Sequence, residues 1–190
     1  EEIAALFSLK DINKAPAYFD MKKLFHINAE YIRALSPEAF SEIATQYFQL
    51  TGWEPINLDF DVLSDLSSSI QERIEKLADI VKLVDWLFNE EPAVETDPKE
   101  MKKISKSMSA DKVADVLDLA IEQLEKCDWN EEVIGETING IGQTLETKSQ
   151  VPIRVAVTGR RIGLPLFKPM EILGRQKVVT RLQKARSDLG

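Results

Sequence analysis

Residues Val151 to Thr158 alternate β-branched side chains as a strand would, yet no other stretch of the 190-residue chain offers that strand a partner. A lone strand leaves a row of backbone donors and acceptors unmatched. The segment is therefore read as a short buried helix, with Pro152 at its start and Gly159 at its stop. Nothing then remains to build a sheet, and the expected fold class is all-α.

The rest of the chain supports helices directly, because its apolar residues recur at spacings of three and four. A short helix on Ile3, Leu6 and Phe7 is expected to break at Ala15-Pro16. Asp20 caps Met21 to Leu35, whose apolar face is read as Leu24, Ile27, Tyr31 and Leu35. Ser36-Pro37-Glu38 gives a cap hydroxyl, a proline at the first helical position and an acid in the first turn. That helix buries Phe40, Ile43, Ala44, Tyr47 and Phe48 and ends near Gly52. Val62, Leu63, Leu66 and Ile70 outline the next, and Ile74 to Phe88 carry the stripe onward past a break expected at Gln71 to Arg73. A residue held at such a break can point away from the bundle.

Asn89 to Pro98, with two prolines and no apolar period, reads as a connection. The expected organisation is two consecutive helical bundles: a first unit over 1–90, a linker over 91–98 and a second unit over 99–190. Asp97, Pro98 and Glu100 form a capping box at the second start. Ser109 caps a helix on Val113, Val116, Leu117, Ala120, Ile121 and Leu124, and Asn130 caps one on Val133, Ile134, Ile138, Ile141 and Leu145. A last helix is expected over Pro169 to about Lys184, with Met170, Ile172, Leu173, Val178, Val179 and Leu182 inward.

Charge is divided unevenly along the chain. Of 24 basic and 32 acidic residues, nine and two fall in 151–190, a net of +7, while the remaining 15 and 30 give residues 1–150 a net of −15. A positive end on an acidic protein is the electrostatic footprint of a polyanion site, and net acidity does not exclude nucleic acid because phosphate binding depends on a local cluster. The competing reading is a solvated helix face that complements its own dipole.

Few residues suggest catalysis. Cys127 is the only cysteine, which excludes an internal disulfide framework and fits a reducing, cytoplasmic compartment. His26, the only histidine, has no second ligand at metal spacing. No apolar run reaches the roughly 20 residues that span a bilayer. The chain opens on Glu1 without a leader and is expected to be part of something longer. Lys103-Ile104-Ser105-Lys106-Ser107 is similar to the KMSKS signature of class I aminoacyl-tRNA synthetases, but lacks the nucleotide-binding α/β context such a loop needs. It is read as a polar connection leading to the Ser109 cap.

Two separated blocks carry a broader resemblance. Phe7-Ser8-Leu9, Lys14-Ala15-Pro16, Phe19-Asp20, Lys23-Leu24 and Asn28 with Tyr31-Ile32 resemble the stretch that follows the catalytic domain of bacterial-type glutamyl-tRNA synthetases. Pro152 to Leu182 resembles the same family's C-terminal end: Pro-Ile-Arg, Val-Thr-Gly, a short loop, Leu-Phe and Leu-Gly-Arg. The two blocks follow in the right order and at compatible spacing across essentially the whole chain. The resemblance implies an anticodon-binding region of two all-α units, without the catalytic Rossmann domain and without catalysis of its own. ATP and magnesium would belong to that catalytic domain, and this region would need no cofactor or metal. The implied partners are the anticodon loop of the glutamate tRNA and the enzyme's own catalytic domain, with no membrane and no second copy. The family's own signature precedes Phe7, so the pentapeptide at 103–107 is coincidence.

Carried over residue by residue, Arg73 matches the arginine that contacts the first anticodon base, which implies an enzyme that charges the glutamate tRNA and not the glutamine tRNA. Arg154 matches an arginine near the middle and last bases, and Gly163, Leu164, Leu166 and Phe167 match the segment that packs on them. Lys148, Arg160 and Arg161 are expected on phosphates. The loop departs from the family's pattern, since Pro165 follows Gly163-Leu164 where a proline ordinarily precedes Gly-Leu-Phe. The alternatives are a non-discriminating enzyme that also accepts the glutamine tRNA, and a helical protein-interaction module whose basic tail meets an acidic partner.

Overall fold

The computed structural model describes residues 8, 18–53, 60–88 and 108–189. The first-helix break at Ala15-Pro16, the linker at 91–98, the capping box at 97–100 and the pentapeptide at 103–107 lie outside them. Among the described residues there are nine helices and no strand: α1 (Met21–Arg33), α2 (Pro37–Thr51), α3 (Phe60–Gln71), α4 (Ala78–Phe88), α5 (Ala110–Lys126), α6 (Glu131–Thr144), α7 (Gln150–Thr158), α8 (Phe167–Leu173) and α9 (Arg175–Ser187).

The helix starts follow the capping chemistry. Asp20 accepts from the N–H groups of Lys22 and Lys23 at 2.9 and 3.2 Å, Ser36 from Ala39 at 3.2 Å, Ser109 from Lys112 at 3.3 Å and Asn130 from Val133 at 3.0 Å. Each satisfies a donor that a first turn would otherwise leave open. The strand-like segment is helix α7. It closes on Gly159, whose φ of 70° is a left-handed conformation that a side chain would strain.

Two expectations are corrected. The last helix is two, α8 and α9, because Gly174 sits at φ 88° and ψ 147°, outside the helical region, and turns the chain between them. On α1 the buried side is not the predicted one. Ala29 and Ile32 are buried and Phe25 half-buried, whereas Leu24, Ile27 and Tyr31 are exposed, Tyr31 to 74%. Apolar residues lie on two faces of α1, and only the face with the small Ala29 lies close against α3.

In the first half α2 packs on α3 and α3 on α1; in the second, α5, α6, α7 and α9 pack on one another with α8 against α6 and α9. Helix α4 reaches across and touches α8. One apolar cluster runs through both halves, from Phe40 and Phe48 through Ile70, Ile80 and Trp86 to Leu117, Ile138, Ile153 and Leu182. Trp53 stacks edge-on between Phe48 and Phe88, with ring centroids 4.6 and 6.2 Å away, and so joins the end of α2 to the end of α4.

Candidate nucleic-acid interface

The break between α3 and α4 positions Arg73. Helix α3 ends at Gln71, whose buried side-chain amide donates to the carbonyls of Ile32 and Leu35 at 2.6 and 3.0 Å and so closes the C-terminal end of α1. Ile74 is buried and Arg73 beside it is turned outward. Its guanidinium donates to Ser69 O at 2.9 Å and meets Glu72 at 3.3 Å, with over a third of the side chain in solvent. An exposed pair of this kind contributes little to stability.

Helix α7 supplies Arg154, which is half-buried and donates to Leu164 O at 2.5 Å. Burial lowers its pKa, and the charge of Arg73 lowers it further. The two arginines, from opposite sides of the expected 91–98 linker, therefore sit within electrostatic reach of each other. An arginine remains charged at any working pH, so the lowering expresses the cost of holding like charges together in a half-dry place. An acceptor-rich ligand would relieve that cost.

The loop after α7 is pinned at both ends. The Thr158 hydroxyl accepts from the Arg160 N–H at 3.1 Å and lies 2.8 Å from Arg154 O, to which it can donate. Leu164 and Leu166 are buried at 2% and 3% exposure, so they anchor the loop, while Pro165 between them is exposed. Gly163 is half-buried with open space where a Cβ would stand. Phe167 is half-buried at the start of α8, its ring packed so closely on α6 that a Cβ on Gly135 would lie 3.0 Å from it. Ile162 is 79% exposed beside the exposed Arg161. Sequence periodicity could not single out Ile162, because an apolar residue in a loop has no period to break.

The three basic residues expected on phosphates differ. Lys148 is exposed on the turn between α6 and α7, beside an open groove of about 610 Å³ that Asn139, Gln143 and Gln150 also line. Arg161 is exposed, while Arg160 is held bidentately by Asp85 of α4 at 2.7 and 2.8 Å and also donates to Lys82 O. Much of the remaining basic tail is likewise engaged within the molecule. Arg181, 4% exposed, donates at 2.8 Å to Trp86 O and to Val157 O, carbonyls in the last turns of α4 and α7. Arg175 donates to Cys127 O at the end of α5 and lies over the Trp129 ring. Arg186 pairs with Asp118 and Lys168 with Glu171, whose hydrogen bond raises the lysine's pKa. Cations at helix C-termini satisfy orphan carbonyls and oppose the helix dipole. Of the tail's cations, Arg175 and Arg181 thus serve the C-terminal ends of neighbouring helices.

No group of His, Cys, Asp and Glu among the described residues could hold a metal ion, and His26 is exposed. No described helix is long and apolar enough to cross a membrane.

The model of the anticodon binding domain matches residues 30–186. The chain belongs to the anticodon binding domain family. Among curated proteins the domain is similar to the glutamate–tRNA ligase of Frankia casuarinae, 38% identical over 194 residues that take in 100% of this chain and 40% of that one. The glutamate–tRNA ligase of Streptomyces griseus is 37% identical over 195 residues, 100% of this chain and 38% of its own. This anticodon binding domain therefore spans about two fifths of the length of the ligases it matches. In fold it is similar to the crystal structure of a glutamate tRNA ligase from Elizabethkingia meningosepticum, with a TM-score of 0.78 at 21% identity over 97% of this chain and 36% of that one. The glutamate–tRNA synthetase of Elizabethkingia anophelis follows at a TM-score of 0.73, 20% identity and 95% and 34% coverage.

Proposed function

We propose that this chain reads the anticodon loop of the glutamate tRNA as part of a glutamate–tRNA ligase. The observation that carries the reading is that Arg73 and Arg154, from the two halves, lie within electrostatic reach of each other, Arg154 gripping Leu164 O in the loop that leaves Ile162 and Pro165 exposed. Arg73 takes the first anticodon base, since a guanidinium fork can hold a base edge by two hydrogen bonds. Arg154 and the loop at Gly163 and Pro165 take the middle and last bases, with the exposed Ile162 as the apolar contact in place of the buried Leu164 and Leu166. Lys148 and Arg161 take phosphates. Residues 1–90 and 99–190 form the two units, joined by 91–98. The joining of glutamate to RNA, with ATP and magnesium, belongs to the part of the ligase outside this chain, which carries no such activity alone. The ligase works as a cytoplasmic monomer and charges the glutamate tRNA and not the glutamine tRNA.

The test is binding of the chain to the glutamate tRNA and to the same tRNA with its first anticodon base changed. Wild type is expected to discriminate by about 1–3 kcal/mol and Arg73→Ala to lose that difference. Equal binding of all four combinations, vanishing with salt, removes the reading. The competing reading as a protein-interaction module draws on the exposed Tyr18, Phe19, Leu24, Ile27 and Tyr31. Indifference to every single anticodon-base change would favour it.

A further inference from the structure

The two proposed base-reading arginines come from different halves, so something must fix their separation. The described contacts form a continuous path between them. Asp79 accepts from the N–H groups of Glu75 and Lys76 at 3.3 Å each, which ties the segment just after Arg73 to the first turn of α4. Further along α4, both carboxylate oxygens of Asp85 hold Arg160 at 2.7 and 2.8 Å, in a pair that is two-thirds or more shielded from solvent on each side. Arg160 is joined through its own N–H to Thr158, Thr158 lies at Arg154 O, and Arg154 in turn grips Leu164 O. A small cleft lies along this path, lined by Lys82, Trp86, Arg154, Arg160, Ile162 and Gly163.

We infer that Asp85 is a positioning residue: by holding Arg160 it sets the 160–166 loop, and with it Arg154, at a fixed distance from Arg73. The inference rests on the anticodon reading proposed above, and it moves Arg160 from phosphate contact to strut. A bidentate, part-buried arginine–carboxylate pair is directional enough for this. A strut and a phosphate contact respond oppositely to loss of the acid. Removing Asp85 from a strut misaligns the bases' partners; removing it beside a phosphate contact frees a cation for the RNA.

The experiment measures binding of the 190-residue chain to the glutamate tRNA and to tRNAs changed at the first, or at the last, anticodon base, for wild type, Asp85→Asn, Arg160→Met and the double variant. Wild type is expected to prefer the unchanged RNA by about tenfold at each position, the range of a bidentate base contact. Asp85→Asn is expected to bring the preference at both positions to within about threefold, Arg160→Met to do the same, and the double variant to be no worse than either, the non-additivity of one interaction. Circular dichroism checks that each variant stays helical, and the ratio between RNAs is insensitive to the fraction folded. The inference is overturned if Asp85→Asn keeps the full preference. It is also overturned if Asp85→Asn tightens all RNAs alike while Arg160→Met weakens all alike and lowers the salt slope by about one, the behaviour of a phosphate contact. A wild type with no preference at either position removes the anticodon reading itself, and the strut falls with it.

Discussion

Arg181 shows how one side chain can determine what a charged tail is for. Burial alone lowers its pKa, and the guanidinium, still charged, has exchanged water for carbonyl oxygens at the ends of two helices. Replacing it by methionine preserves most of the apolar stem but removes the guanidinium, whose central carbon lies 6.0 Å from the Trp86 ring centroid, and leaves both carbonyls without its N–H donors. Buried acceptors left without donors are expensive, so Arg181→Met is expected to lower stability by about 2–4 kcal/mol, seen as a lower urea midpoint at unchanged slope. Lys177, exposed on the same helix, serves as the control: Lys177→Ala should stay within about 0.5 kcal/mol of wild type. Equal losses at both positions would mean that Arg181 acts through general charge and not through the helix ends.

At the scale of elements, the turn between α6 and α7 imposes a narrower demand than any helix interior. Thr147 N–H returns to Gly142 O at 2.9 Å, and the Ser149 hydroxyl, buried, reaches Ile138 O at 2.6 Å. A Cβ on Gly142 would stand 2.9 Å from both Thr147 O and Ser149 Oγ. Backbone has to move, so Gly142→Ala is expected to cost about 1–3 kcal/mol despite the roughly 1 kcal/mol that alanine gains in a helix. Thermal unfolding of Gly142→Ala beside Gly140→Ala, where a Cβ meets nothing within 4 Å, isolates the close approach. Neither glycine is distinguishable in the sequence, because only the returning turn makes one of them tight. What local chemistry decides was legible: the caps at Asp20, Ser36, Ser109 and Asn130, the left-handed stop at Gly159, and the helical state of 151–158. What depends on a neighbour was not. The buried face of α1 could not be chosen from two apolar faces without knowing where α3 lies, and the division of α8 from α9 hangs on one dihedral at Gly174.

For the whole molecule, the charge division that read as a polyanion footprint is largely an internal arrangement. Sequence counting gives the tail its net of +7, but it cannot tell that Arg160, Arg175, Arg181 and Arg186 find partners on α4, α5 and α7. Arg73 and Arg154, by contrast, were legible as candidates, and the fold adds what the sequence lacked, namely their proximity. This sets how RNA binding should depend on salt. On a single-stranded loop each phosphate contact contributes about 0.7 to the slope of log K against log salt, so a tail with all nine cations engaged would give a slope of about −6. Only a few cations near the interface, Lys148 and Arg161 among them, are expected to meet phosphate, and the slope should lie at about −2 to −4. Measured between about 50 and 200 mM salt, that is a weakening of roughly 20- to 300-fold, against roughly 4,000-fold for a fully engaged tail. A slope of about −6 would mean that the tail leaves its intramolecular partners when RNA binds, which Arg181, buried between two helix ends, would resist; comparing the slope of Arg181→Met with wild type then tells whether that arginine ever reaches the RNA.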